Sequence, residues 1–120
     1  MEKKEKDKLI KSEESGLKRM FTNLDPKKQQ LAYRLCAKAA YVKVSLEELQ
    51  EDIDENGYYE KFSQGKDQEP YDRLRPAVNT FNSLTTNYQR YMKQLAEMIP
   101  KQVASEKGDG FEDFVNGRED

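Results

Sequence analysis

The clearest hydrophobic pattern in the chain lies between Pro76 and Pro100. Val78, Thr85, Met92 and Ile99 fall seven apart, as do Phe81, Tyr88 and Leu95, and the two series interleave in steps of three and four. That spacing is a heptad seam. Pro76 suits a first helical position, Pro100 restricts the residue before it, and neither glycine nor proline lies between them. The pattern therefore predicts an uninterrupted helix over 76–99, about 36 Å long at 1.5 Å per residue. Leu84, Tyr91 and Met98 add a third apolar row, too wide for a simple two-stranded coil and wide enough to meet two neighbours. The expected oligomer interface is thus Val78, Phe81, Leu84, Tyr88, Tyr91, Met92, Leu95 and Ile99. Packing inside a monomeric bundle is the competing account of the same face.

Upstream, Asp25-Pro26 is a strong helix start: Asp accepts from the free amides of a first turn, and Pro at the first position forfeits nothing. Leu31, Leu35, Ala39 and Val42 recur at three or four residues, with Ala32, Cys36 and Ala40 beside them, predicting a helix from about 26 to 41 with one buried face. Ser45 with Glu48 three residues on forms a capping box, which predicts a second helix ending before Gly57. From Tyr58 to Tyr71 the periodicity fails and the stretch reads as loop. The first 24 residues carry Leu9, Ile10, Leu17 and Met20 among many charges, interrupted by Ser15 and Gly16, and read as a basic arm, partly disordered or helical. The whole predicts an all-α fold: a short helical hairpin region within a helical domain at 25–100, one long heptad-patterned oligomerisation helix, and a flexible acidic tail at 101–120.

Composition sharpens the expectation of assembly. Charged residues make up 37% of the 120 residues against 35% hydrophobic, with mean hydropathy −1.09, so one copy holds little material for a core. There is no histidine, which removes the commonest general base and the commonest neutral metal ligand. The lone Cys36 cannot form an internal disulfide or a thiolate zinc site, and fits a reducing cytoplasm. No secretory signal or membrane span is expected. Charge is unevenly spread: residues 1–43 hold twelve Lys/Arg against six Asp/Glu, and 44–70 hold two against nine. Residues 104–120 hold two against six.

Gly65-Lys66 does not make a phosphate-binding loop, since Glu60 stands where the first glycine belongs and Asp67 where the hydroxyl belongs. Glu47, Glu48, Glu51, Asp52, Asp54 and Glu55 read as a solvated helix face, lacking the glycine turn of a calcium loop. Two helices joined at 42–45 invite a helix-turn-helix reading, but six carboxylates on the second would repel phosphates. If DNA is bound, the contacts should come from the first helix and the basic amino terminus, with Lys27, Lys28, Arg34, Lys38 and Lys43 as candidates and ordinary solubilising surface as the competing account. A ring would multiply such a patch. In the tail, Phe111, Phe114 and Val115 stand among acidic residues and glycines, in the manner of a linear docking motif. No catalytic residue, cofactor, metal or small-molecule substrate is expected.

Residues from about 39 to 101 resemble the terminase small subunits of bacteriophages that infect Gram-positive hosts. The likeness rests on the stretch from Val44 to Ile53 (VSLEELQEDI), on Glu55 to Gly57 (ENG), and on Gln68 to Asn79 (QEPYDRLRPAVN), whose Pro-Tyr-x-Arg-x-Arg-Pro-Ala run is the most specific part. The resemblance implies a protein of the host bacterial cytoplasm that recognises viral double-stranded DNA, assembles as a homo-oligomeric ring, and recruits and regulates the terminase large subunit in genome packaging. On that reading Phe111, Phe114 and Val115 anchor the large subunit. A helical protein–protein adaptor or regulator with no nucleic-acid role is the alternative.

Overall fold

A computed structural model of the chain describes residues 1–99. The chain is mostly helical: α1 spans Lys3–Lys18 and runs into a 3-10 turn at Arg19–Phe21, α2 spans Pro26–Asn56, and α3 spans Pro76–Glu97. Between α2 and α3 lie two short strands, β1 (Tyr59–Phe62) and β2 (Tyr71–Leu74). No described helix is long and apolar enough to cross a membrane.

α1 runs unbroken through Ser15 and Gly16, because a helical Gly costs only about 1 kcal/mol and packing offsets it. Leu17 packs against the core, and Lys18 meets Glu14 at 2.7 Å one turn back. Contacts from α1 descend α2 in reverse order. Lys6 reaches Glu48 at 2.7 Å, Glu13 meets Lys43 at 3.2 Å, and the Lys18 ammonium lies 4.9 Å from the centre of the Tyr33 ring, so the two helices are antiparallel.

α2 begins as expected: the Asp25 side chain accepts from the amides of Lys27 and Lys28 at 3.1 Å, with Pro26 at the first position. It then departs from the sequence reading. The helix continues through 42–45 for 31 residues, making one helix where a helical hairpin was expected, and it removes the helix-turn-helix geometry. Ser45 is 7% exposed inside this helix with its hydroxyl unpartnered, so it caps nothing. Val42 and Val44, just before it, are buried, and breaking the helix there would expose them. Tertiary burial overrides a locally sound cap signal.

In its first half α2 buries small residues. Ala32, Cys36 and Ala39 join Phe21 and Leu95 in the core, and Leu17, Leu24, Tyr33, Tyr88, Tyr91 and Met92 pack around them. Leu31, expected in the buried stripe, is 56% exposed. Small side chains let α1 and α3 approach α2 closely, and the bulk that fills the space comes from the neighbouring elements. α3 runs antiparallel to α2, with Leu95 beside Ala32 and Cys36 at one end and Arg75 against Asp52 at the other. Its threonines stay helical by returning hydroxyl bonds to carbonyls one turn back, Thr85 to Phe81 at 2.8 Å being the shortest.

The segment read as loop holds an antiparallel hairpin. Tyr59 pairs with Leu74, Glu60 with Arg73, Lys61 with Asp72 and Phe62 with Tyr71. Directly opposed residues share a face, so each face carries one cross-strand ion pair: Arg73 to Glu60 at 2.6 Å, and Lys61 to Asp72 at 3.0 Å. The Arg73 guanidinium also lies 3.6 Å from the centre of the Phe62 ring, which meets Tyr71 edge-on at 5.9 Å. An isolated hairpin is marginal in water. Its base is fixed to the helices by Arg75, whose guanidinium donates to both Asp52 carboxylate oxygens at 3.0 Å and to the Gly57 carbonyl at 3.0 Å. The Arg75 amide donates to the Tyr58 carbonyl at 2.7 Å. Gly57, at φ 80°, allows the chain to leave α2 into β1, where a side chain would be strained.

Two outcomes test this packing. Leu95 is 2% exposed, so Leu95→Ala should cost about 2–5 kcal/mol in urea unfolding, and a loss under about 1 kcal/mol would place it outside the core. Asp52 has its carboxyl held below the ordinary 3.8 by hydrogen bonds from Asn56 and Arg75 and by the Arg75 charge. A depressed folded pKa contributes stability that is complete above the unfolded value and lost as pH falls through the folded one. Wild type should therefore lose more Tm on acidification below about pH 4 than Asp52→Asn does, and parallel losses would contradict the clamp.

Candidate nucleic-acid interface

The five cations expected at DNA fall into three environments. Lys27, Arg34 and Lys38 lie at helical spacing of seven and four on α2, and all three are exposed. Lys28, one position round the helix, borders a surface depression with Asn23, Leu24, Glu97 and Met98, where α2 begins beside the end of α3. Lys43 is half-exposed but paired: its ammonium contacts Glu13 at 3.2 Å and Glu47 at 3.4 Å. These carboxylates, Glu13 first, push its pKa above 10.5, and its charge is neutralised within the fold. The Tyr88 hydroxyl is pushed above 10.0, chiefly by burial and then by the negative charge of Glu13.

The structure thus brings together Lys27, Arg34 and Lys38, and sets Lys28 and Lys43 apart. No carboxylate among the described residues comes within ion-pair distance of those three, whereas Lys6, Lys18, Lys43, Lys61, Arg73 and Arg75 all have one. Two apolar residues share the outward face. Leu31 is exposed, and Tyr41, seven residues after Arg34, is 54% exposed with the Lys6 ammonium 4.9 Å from its ring centre. The sequence reading missed Tyr41, although its interval from Lys27 and Arg34 was visible. The stripe from Lys27 to Tyr41 extends about 21 Å along the helix. Three cations along one helix face suit the phosphates of a polyanion.

Three of the six acidic residues of α2 tie elements or turns together, and Glu51, Asp54 and Glu55 are exposed. Glu47 meets Lys43, Glu48 meets Lys6, and Asp52 meets Arg75. Among the described residues no group of three or more His, Cys, Asp or Glu is arranged to hold a metal ion. Gly65 and Lys66 sit in the hairpin tip, where the Ser63 hydroxyl bonds the carbonyls of Gly65 at 2.7 Å and Gln68 at 2.9 Å. Those bonds hold a turn closed.

Of the residues expected to face other copies, Leu95 is buried, and Tyr88, Tyr91, Met92 and Ile99 pack against the core of their own chain. Val78, Phe81 and Leu84, in the first half of α3, are half-exposed, close in sequence to a hairpin that exposes Tyr58, Tyr59, Tyr71 and Leu74. Phe111, Phe114 and Val115 lie outside the described residues. Comparison with family models, with curated proteins and with solved structures finds no match.

Proposed function

We propose that the chain is the small subunit of a phage terminase, a non-enzymatic protein that engages viral DNA and regulates the large subunit as an oligomeric ring during genome packaging. The observation that carries this reading is the Pro-Tyr-x-Arg-x-Arg-Pro-Ala run at 70–77, the most specific part of the resemblance. Its residues have distinct work in the fold. Tyr71 and Arg73 close the hairpin against Phe62 and Glu60, Arg75 clamps Asp52 and Gly57, and Pro76 starts α3. The run specifies a hairpin-to-helix junction, which gives the likeness a structural reason to extend beyond composition.

DNA engagement is assigned to Lys27, Arg34 and Lys38, whose charges no neighbouring carboxylate consumes. One copy offers a weak patch; a ring repeats it and sums the phosphate contacts. The ring contacts are assigned to the hairpin and the first half of α3, through Tyr59, Leu74, Val78 and Phe81, because the second half of α3 is already covered by α2. Phe111, Phe114 and Val115 are assigned to the large subunit.

A salt titration tests the DNA role. Each phosphate contact contributes about 0.9 to the slope of log affinity against log salt. Arg34→Gln with Lys38→Gln should flatten that slope by about 1.8 per engaged subunit without lowering Tm. An unchanged slope would move DNA off this face, and no binding by wild type at low salt would leave the protein-only adaptor. Light scattering on the same sample should give a multiple of 14.1 kDa, and a concentration-independent monomer would remove the ring.

A further inference from the structure

An open groove of about 560 Å³ lies where the outward face of α2 meets α3. It is lined by Arg34, Lys38 and Tyr41 from α2 and by Leu84, Asn87 and Tyr91 from α3. The floor is aromatic and aliphatic, and the two cations on its rim meet no carboxylate among the described residues. Such a groove selects a short segment carrying both large apolar side chains and negative charge.

The chain supplies a segment of that composition. Asp109, Glu112 and Asp113 alternate with Phe111 and Phe114, and Val115 follows. We propose that this acidic stretch, residues 109–115, docks into the α2–α3 groove of its own chain, with Phe111 and Phe114 against Tyr41, Leu84 and Tyr91 and the carboxylates against Arg34 and Lys38. Aromatic pairs add attraction beyond the area they bury, and the charge pairs fix which way the segment lies.

The chain length permits it. From Ile99 back along α3 to Tyr91 is about 12 Å and to Leu84 about 22 Å at the helical rise. The ten residues from Ile99 to Asp109 span up to about 33 Å when extended. The segment therefore reaches the whole groove without strain. A tethered segment also binds at high effective concentration, so modest intrinsic affinity suffices.

The consequence rests on the proposed function: the groove shares Arg34 and Lys38 with the DNA face, so a docked tail competes with DNA. A partner that captures Phe111 and Phe114 would free the cations. The tail then couples capture of the large subunit to engagement of DNA by mutual exclusion at one groove.

The chain contains no tryptophan, so Phe114→Trp in the full-length protein places a single reporter in the tail. Its emission should be blue-shifted relative to the same protein in denaturant and protected from acrylamide, independently of protein concentration. Both signals should be lost on adding Arg34→Glu with Lys38→Glu. They should also be lost on adding Asp109→Asn, Glu112→Gln and Asp113→Asn, which leave the groove untouched should the first pair impair folding. Solvent-exposed emission in the parent overturns the proposal, as does emission that neither set alters. Protection that grows with concentration assigns the groove to another copy's tail and overturns docking within the chain. The readout contains no DNA, so its failure and a failure of DNA binding are separate results.

Discussion

The close approach of three helices over Ala32, Cys36 and Ala39 is the constraint on which the rest of the molecule depends. These side chains are too small to fill a core, so Phe21 from the turn after α1 and Leu95 from α3 supply the bulk between them. With neighbours on two sides, α2 has only one face left for solvent. That face carries Lys27, Leu31, Arg34, Lys38 and Tyr41, and its exposure follows from where the small residues stand. The same packing holds α2 helical through Ser45, whose side chain has no partner to reward a break.

Cations divide along the same line. Those that touch a second element are matched with carboxylates: Lys6 with Glu48, Lys43 with Glu13, Arg75 with Asp52. Exposed pairs of this kind contribute about 1 kcal/mol or less, so their main effect is to fix how elements sit. Arg75 shows this most plainly, since one guanidinium joins the end of α2, the exit at Gly57 and the start of α3. Lys27, Arg34 and Lys38 have no carboxylate within ion-pair distance among the described residues, and their shared face lets a polyanion reach all three at once.

Helix starts were legible because their signals are local: Asp25-Pro26 and Pro76 act through the amides of a single turn. The interval of seven joining Lys27, Arg34 and Tyr41 was equally legible once the helix was granted. Three features were not. The capping box at Ser45 was locally correct and lost to burial of Val42 and Val44, contributed by elements distant in sequence. Leu31 looked buried because hydrophobicity ranks it above Ala32, whereas close helix packing favours the smaller side chain. The hairpin was hidden because four-residue strands have no period of their own; the signal is the pairing of Glu60 with Arg73 and Lys61 with Asp72, across a turn whose register sequence spacing leaves open. The heptad of α3 was read correctly as an apolar face, but periodicity does not name the partner, and α2 covers its second half.

On the proposed function, α2 has an inward face committed to the fold and an outward cationic face that engages DNA. Lysine acetylation footprinting of the full-length protein, with and without duplex DNA at low salt, tests it residue by residue. Lys27 and Lys38 should become protected by DNA, while Lys43, held between Glu13 and Glu47, should react equally slowly in both conditions. Protection confined to Lys3, Lys4, Lys8 and Lys11, with Lys27 and Lys38 unchanged, would contradict it.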